Sequence, residues 1–187
     1  MTHSIDFKGI EERLFLIQKV VLGSRAYCEE RDIGRTVGRY GEGEWSDYSY
    51  RLQELISSYA IECAIKTRMV QDLIAASSTE IDMANADSEA RDGFEIGVVH
   101  SGSFNLTVRE SCNKIIHATK VELGWATANL RKAKKKIEYW SGSYHLHGKQ
   151  GKTAWHVELD MQVWAIAMEN FHSILDEQAD WERIYGL

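Results

Sequence analysis

The absence of proline is the feature that most constrains this 187-residue chain. Without proline, nothing in the sequence forces a helix to break or kink, so long helices can form wherever apolar residues recur at helical spacing. That spacing predicts a first helix from about Ile10 to Glu30 and a second from Ser46 or Asp47 to Ala76. The second helix would be about 45 Å long, so it needs a long antiparallel partner, for which the first helix is the natural candidate.

The middle of the chain predicts a connection followed by a third helix. Residues 77–103 are polar and rich in serine, aspartate and alanine, which is typical of a flexible connection. The third helix is predicted to open at Thr107, because Thr107 and Glu110 have the spacing of a capping box.

The last third of the chain predicts a hairpin and a final helix. Apolar and polar residues alternate on both sides of a glycine-containing turn, which predicts a β-hairpin over residues 140–159. Asp160 is a suitable N-cap for the final helix. We therefore expect one domain over residues 1–187, mainly α, built as an up-and-down helical bundle with a β-hairpin inserted before the last helix.

Cysteine usage and the N-terminal sequence bear on location. The chain has three cysteines, an odd number without a C-x-x-C pair, which favours small buried thiols over a disulfide framework. The first dozen residues mix charges and lack the apolar stretch of a secretory signal, and no apolar run is long enough to span a bilayer. We expect a cytoplasmic protein with no membrane partner.

Basic residues are concentrated in one block of an otherwise acidic chain. The net charge is −6, yet residues 105–152 carry ten basic and three acidic side chains, hence +7. The block contains a basic run that is followed by aromatic residues, a mixture that suits single-stranded nucleic acid. The candidate nucleic-acid-binding residues of this run are Arg131, Lys132, Lys134, Lys135 and Lys136. The alternative is an ordinary solvated surface.

A polar stripe on the third helix carries the candidate catalytic residues. Arg109, Asn113 and His117 are spaced so that they lie on one flank, next to an apolar face. Histidine is suited to acid–base work near neutral pH, and arginine can hold a phosphate with its planar guanidinium. The alternative is that His117 packs at a contact between helices while Arg109 is solvated.

The segment from Leu106 to Ala118 resembles the signature helix of HEPN-type proteins, which are small helical bundles common among prokaryotic toxins and defence systems. The Asn-x-x-x-His part of their motif is matched by Asn113 to His117, whereas Cys112 stands where the family has arginine. The resemblance covers about a dozen residues. It implies a homodimeric, RNA-directed protein, and metal-independent RNA cleavage without any cofactor.

In that resemblance, His117 would be the acid–base or phosphate-contacting residue, Arg109 the charge stabiliser and Asn113 the orienting donor. The alternative is a non-catalytic binding or regulatory module that has lost cleavage, which Cys112 at the arginine position favours. A structural partner without any role in nucleic-acid binding is a third interpretation.

Three further histidines fall in the predicted hairpin. His145, His147 and His156 have the strand spacing to share one face, so a zinc triad is an alternative to the exposed polar sheet face that we expect. Motifs of serine hydrolases, zinc proteases and dinucleotide-binding enzymes are absent from the sequence.

Overall fold

A computed structural model describes residues 6–33, 42–77, 81–129 and 136–185. Within these ranges the chain begins with two long helices and a short one, has its strands in the second half, and ends with two helices. In chain order they are α1 (Phe7–Arg31), α2 (Glu42–Ala76), α3 (Met83–Ala90), β1 (Gly97–Ser101), α4 (Val108–His117), β2 (Lys120–Asn129), β3 (Lys136–Gln150), β4 (Thr153–Asp160), α5 (Met161–Gln178) and α6 (Trp181–Tyr185).

A four-stranded antiparallel sheet overturns the predicted fold class. The strand order is β1-β4-β3-β2, so the hairpin expected over residues 140–159 forms the centre of a larger sheet. The protein is mixed α/β, and the prediction of a mainly α up-and-down bundle is wrong. The sequence signal for the outer strands is weak, because β1 has no fully buried position and β2 buries only Leu123.

The two long helices pair in antiparallel fashion. Cys63 of α2 contacts the carbonyl oxygen of Ile10 near the start of α1, while Tyr48 near the start of α2 contacts Ser24 near the end of α1. Among the described residues, no helix combines the length and the hydropathy needed to cross a membrane.

The stretch 77–103, expected as a flexible connection, contains α3 and β1 in its described part. Asp82 caps α3 by accepting hydrogen bonds from the backbone N–H groups of Ala84 and Asn85. Strand β1 then pairs with β4, with Val99 opposite Val157. A cap and an edge-strand pairing therefore order a segment whose polar composition is typical of loops.

Two side chains fix the start of α4, which carries the predicted catalytic residues. Thr107 accepts a hydrogen bond from the backbone N–H of Glu110, which confirms the predicted N-cap. Asp87 of α3 accepts bonds from the N–H groups of Val108 (2.6 Å) and Arg109 (3.3 Å). A carboxylate at this end of a helix also interacts favourably with the helix dipole, so α3 and α4 are held together.

The hydrophobic core lies between the helices and one face of the sheet. Leu146 of β3 and Val157 of β4 are fully buried in the same cluster as Leu14 of α1 and Met168 of α5. Because strand residues alternate between faces, the neighbours of Leu146 and Val157 point to the opposite, solvent-facing side.

Candidate functional site

The predicted catalytic stripe lies on the exposed flank of α4, and its three members have different surroundings. The guanidinium of Arg109 binds Asp72 (3.2 Å) and Gln71 (3.3 Å) of α2. The Asn113 amide donates to Glu110 (3.0 Å) one turn earlier. His117 is exposed at the last position of the helix, and it makes no hydrogen bond or ion pair with any described residue.

Asn113 and His117 line one groove between α4 and the β3–β4 hairpin, here called the α4 groove. Its volume is about 340 Å³. The residues that line it include Glu110, Asn113, Lys114, His117, Lys149 and Trp155.

A buried lysine forms part of the wall of the α4 groove. Lys114 is paired with Glu110 (2.9 Å), and its ammonium lies 3.9 Å from the ring centre of Phe104 and 4.7 Å from that of Trp155. The carboxylate and the two aromatic faces offset the loss of hydration of this ammonium. The exposed Lys149 adds a second, solvated cation at the groove.

Arg109 lines a different pocket, so the structure does not bring it together with His117 within one chain. That pocket, of about 330 Å³, lies between α2, α3 and the start of α4. Arg68 also binds Asp72 (3.2 Å), so two arginines share one carboxylate there.

Cys112, at the position where the resemblance would place arginine, points into the core. It is fully buried, and its Sγ lies 3.8 Å from Sδ of Met168. Burial raises the pKa of this thiol to about 12, so the side chain is neutral at physiological pH. Cys112 therefore contributes packing and no charge to the stripe.

Most of the predicted basic run falls outside the described residues, namely Arg131, Lys132, Lys134 and Lys135. Lys136 is exposed at the first position of β3, whereas Lys149 lies near the last. They are thirteen positions apart, about 40 Å along the strand. The α4 groove and Lys136 are therefore separate places on the surface.

The aromatic residues that follow the basic run are mostly core residues. Trp140 and Tyr144 are buried, and only Tyr139 is partly exposed. The expected stack of aromatic rings beside the lysines is therefore not available to nucleic-acid bases at Trp140 or Tyr144.

The three hairpin histidines do share the solvent-facing side of the sheet. Nδ1 of His145 and Nε2 of His156 are 3.2 Å apart, and the ring of His147 stacks on that of His156. His100 of β1 joins them, with its ring 4.5 Å from that of His156. Burial lowers the pKa of His156, and the neighbouring histidines lower it further, so its ring is neutral at physiological pH.

Sequence reasoning missed His100 because its segment was expected to be a connection. The signal was a short apolar patch from Phe94 to Val99, interrupted by Glu95 and Gly97. A patch this short does not distinguish a strand from a loop.

Comparison with known proteins finds no family model, curated protein or solved structure that matches this chain. The resemblance of α4 to a HEPN signature helix therefore stands on its own dozen residues.

Proposed function

We propose that this protein binds RNA through the α4 groove. The observation that carries the proposal is the set of side chains that line one groove. They are an exposed imidazole that has no partner among the described residues, an amide and two lysines, namely His117, Asn113, Lys114 and Lys149. RNA presents phosphates and 2′-hydroxyls, which these donors recognise.

Each group would have a distinct role in binding. Lys149 is solvated and mobile enough to pair with a phosphate as a point charge. His117 would donate to a phosphate oxygen or a 2′-hydroxyl. Asn113 would orient the bound group, although its amide must then share its donors with Glu110. Lys114 adds a positive charge in the wall of the groove, and the carboxylate of Glu110 largely neutralises that charge.

Metal-independent cleavage is a second candidate function, and it requires a homodimer. Arg109 and His117 line different pockets of one chain, but Arg109 of a second copy could reach His117 across a two-fold axis. One observation favours this arrangement: the Arg109 side chain is 49% exposed in its pair with Asp72. Such an exposed ion pair contributes only about 0–1 kcal/mol, so a phosphate can compete for the guanidinium.

A cytoplasmic location belongs to the proposal. It is supported by the three cysteines, which are free and buried as expected in a reducing compartment.

The experiment measures binding of a fluorescent single-stranded RNA over a series of salt concentrations. If Lys149 contacts one phosphate, Lys149→Ala should weaken binding and flatten the slope of log affinity against log salt by about 0.7. His117→Ala should weaken binding with a smaller change in slope. Lys136→Ala tests whether the basic run contributes separately.

Lys8→Ala is the matched control, because Lys8 is an exposed lysine on α1 outside the basic block. It removes the same charge and should leave the slope unchanged. Equal effects of Lys8→Ala and Lys149→Ala would mean that only net charge matters. Absence of binding at low salt would refute the proposal.

A further inference from the structure

Four of the seven histidines lie together on the solvent-facing side of the sheet, here called the histidine face. They are His100 of β1, His145 and His147 of β3, and His156 of β4. The face is open to solvent, since the His100 side chain is 41% exposed. A sheet face that only contacts water can use any polar side chain, so hydration alone does not account for four histidines side by side.

The nitrogen atoms of three of these histidines are already close to the spacing of metal ligands. One nitrogen of each of His100, His145 and His156 lies within 4.8 Å of the others. Zn–N bonds of 2.0–2.1 Å in a tetrahedron place neighbouring ligand nitrogens about 3.3 Å apart. The separation of 3.2 Å between His145 and His156 matches this edge. His100 would need to approach by at most about 1.5 Å, which a rotation of an exposed side chain can supply.

The backbone explains why His100 joins the other two. Val99 of β1 is opposite Val157, but the next registered pair is Ser101 with His156. His100 is therefore the extra residue of a β-bulge. Bulges re-aim side chains and are frequent beside functional sites. The alternation of β1 already places His100 on the same face as His156, and the two rings lie 4.5 Å apart although the bulge gives Ser101 the paired position.

A carboxylate sets the tautomer of one of the proposed ligands. Nε2 of His100 lies 2.9 Å from Oε2 of Glu158, so this nitrogen donates and Nδ1 is left with its lone pair. Histidines that bind metal commonly donate their other N–H to a carboxylate in this way, which fixes the tautomer and raises the basicity of the ring.

His147 is not one of the three proposed ligands, because the described group of ligand atoms within 4.8 Å of one another does not include it. Nε2 of His147 instead lies 3.4 Å from Glu122, and its ring stacks on that of His156 at 4.1 Å between centres. The His100 ring also stacks on His156, at 25° and 4.5 Å, so His100 must turn before its nitrogen faces the same ion as the other two. A site of three histidines leaves one position of a tetrahedron open for an exchangeable ligand.

We propose that His100, His145 and His156 form a binding site for a divalent transition-metal ion, with Zn²⁺ as the ion that fits the geometry. Imidazole nitrogen is a preferred ligand of Zn²⁺, and three histidines with one exchangeable position are a known type of zinc site. The ion would join three neighbouring strands and so tie the edge strand β1 to β3 and β4. This site is separate from the α4 groove and does not depend on RNA binding.

The test is a titration of Zn²⁺ into tag-free protein from which metal has been removed, followed by calorimetry. The wild type should bind one Zn²⁺ per chain with micromolar affinity or better. Single variants His100→Asn, His145→Asn and His156→Asn should each weaken binding by at least about 100-fold. Glu158→Gln should keep the stoichiometry and weaken binding by about 10- to 100-fold, the usual effect of losing such a supporting carboxylate.

His147→Asn is the matched control, since it removes an imidazole from the same face without removing a proposed ligand. It should change the affinity by less than about threefold. Far-UV circular dichroism verifies that each variant is folded, and a misfolded variant is replaced by the glutamine substitution at the same position. The proposal is overturned if the wild type binds no Zn²⁺ below about 100 μM. It is equally overturned if His147→Asn weakens binding as much as the three ligand variants, or if none of the four histidine variants changes it.

Discussion

Replacing Asp87 by alanine would remove the carboxylate that holds the start of α4. Asp87 is buried, accepts from the backbone N–H groups of Val108 and Arg109, and pairs with Arg91 at 2.9 Å. Because Val108 follows the N-cap, its N–H has no acceptor within the helix. The substitution therefore leaves a buried donor without its partner.

The magnitude follows from these contacts. A hydrogen bond to a charged group contributes about 1.5–3 kcal/mol, the interaction with the helix dipole about 0.3–1 kcal/mol, and the partly exposed pair with Arg91 at most about 1 kcal/mol. We expect Asp87→Ala to lower the free energy of unfolding by about 3 kcal/mol. Asp87→Asn keeps an acceptor oxygen for Val108 and should cost about 1 kcal/mol.

The assay is urea unfolding followed by far-UV circular dichroism, with an unchanged slope as the sign that only stability has changed. Asp82→Ala is the control, because it removes the exposed N-cap of α3 and should cost about 1 kcal/mol. If Asp87→Ala were no more destabilising than Asp82→Ala, the assignment of Asp87 as the anchor of α4 would be refuted. Equal losses for the alanine and asparagine variants would show that the acceptor oxygen is not what matters.

Three further predictions concern burial and packing. Burial lowers the pKa of His172 from 6.5 to about 4, so the folded state binds fewer protons than the unfolded state and stability falls as the pH drops below the unfolded pKa. The free energy of unfolding of the wild type, measured in urea, should therefore decrease between about pH 7 and about pH 5. In His172→Gln this decrease should be smaller by about 2 kcal/mol. Cys112→Ala should cost about 1 kcal/mol in the same assay and leave RNA binding unchanged, and a loss of RNA binding would contradict its purely structural role. Gly148→Ala should lower the melting temperature, because the new Cβ would collide with the indole of Trp155. Gly23→Ala should stabilise the protein by about 0.5–1 kcal/mol, because Gly23 lies in α1 with open space around it. Equal effects of the two glycine variants would contradict this packing.

The parts of the fold that the sequence predicts are those determined by local signals. Apolar periodicity without proline locates α1 and α2, and the caps at Thr107 and Asp160 are confirmed because a side-chain oxygen bonds the N–H groups two or three residues ahead. The turn between β3 and β4 was also predictable, since alternation on both sides of a glycine turn is a local pattern.

The parts that the sequence does not predict depend on tertiary contacts. Strands β1 and β2 bury few side chains, so their alternation is too weak to predict a strand and the sheet was underestimated. The cap by Asp87 joins residues 21 positions apart. The position of His100 follows from its place in β1, a strand that was not expected.

The stripe on α4 shows the same division. Its helical spacing places Arg109, Asn113 and His117 on one flank, as a local pattern should. Which pocket each side chain lines depends on α2 and the hairpin, so the separation of Arg109 from His117 could not be read from spacing.

Crosslinking of RNA to the protein tests binding at the α4 groove most directly. A single-stranded RNA carrying photoreactive uridines is bound to the wild type at low salt, irradiated and digested, and the crosslinked peptides are identified by mass spectrometry. Crosslinks should concentrate in the peptides that carry Asn113 to Lys120 and His147 to Lys152, and they should decrease in Lys149→Ala but not in Lys8→Ala. Crosslinks confined to other surfaces, such as α1 or the peptide that carries Lys136, would contradict the groove as the RNA-binding site.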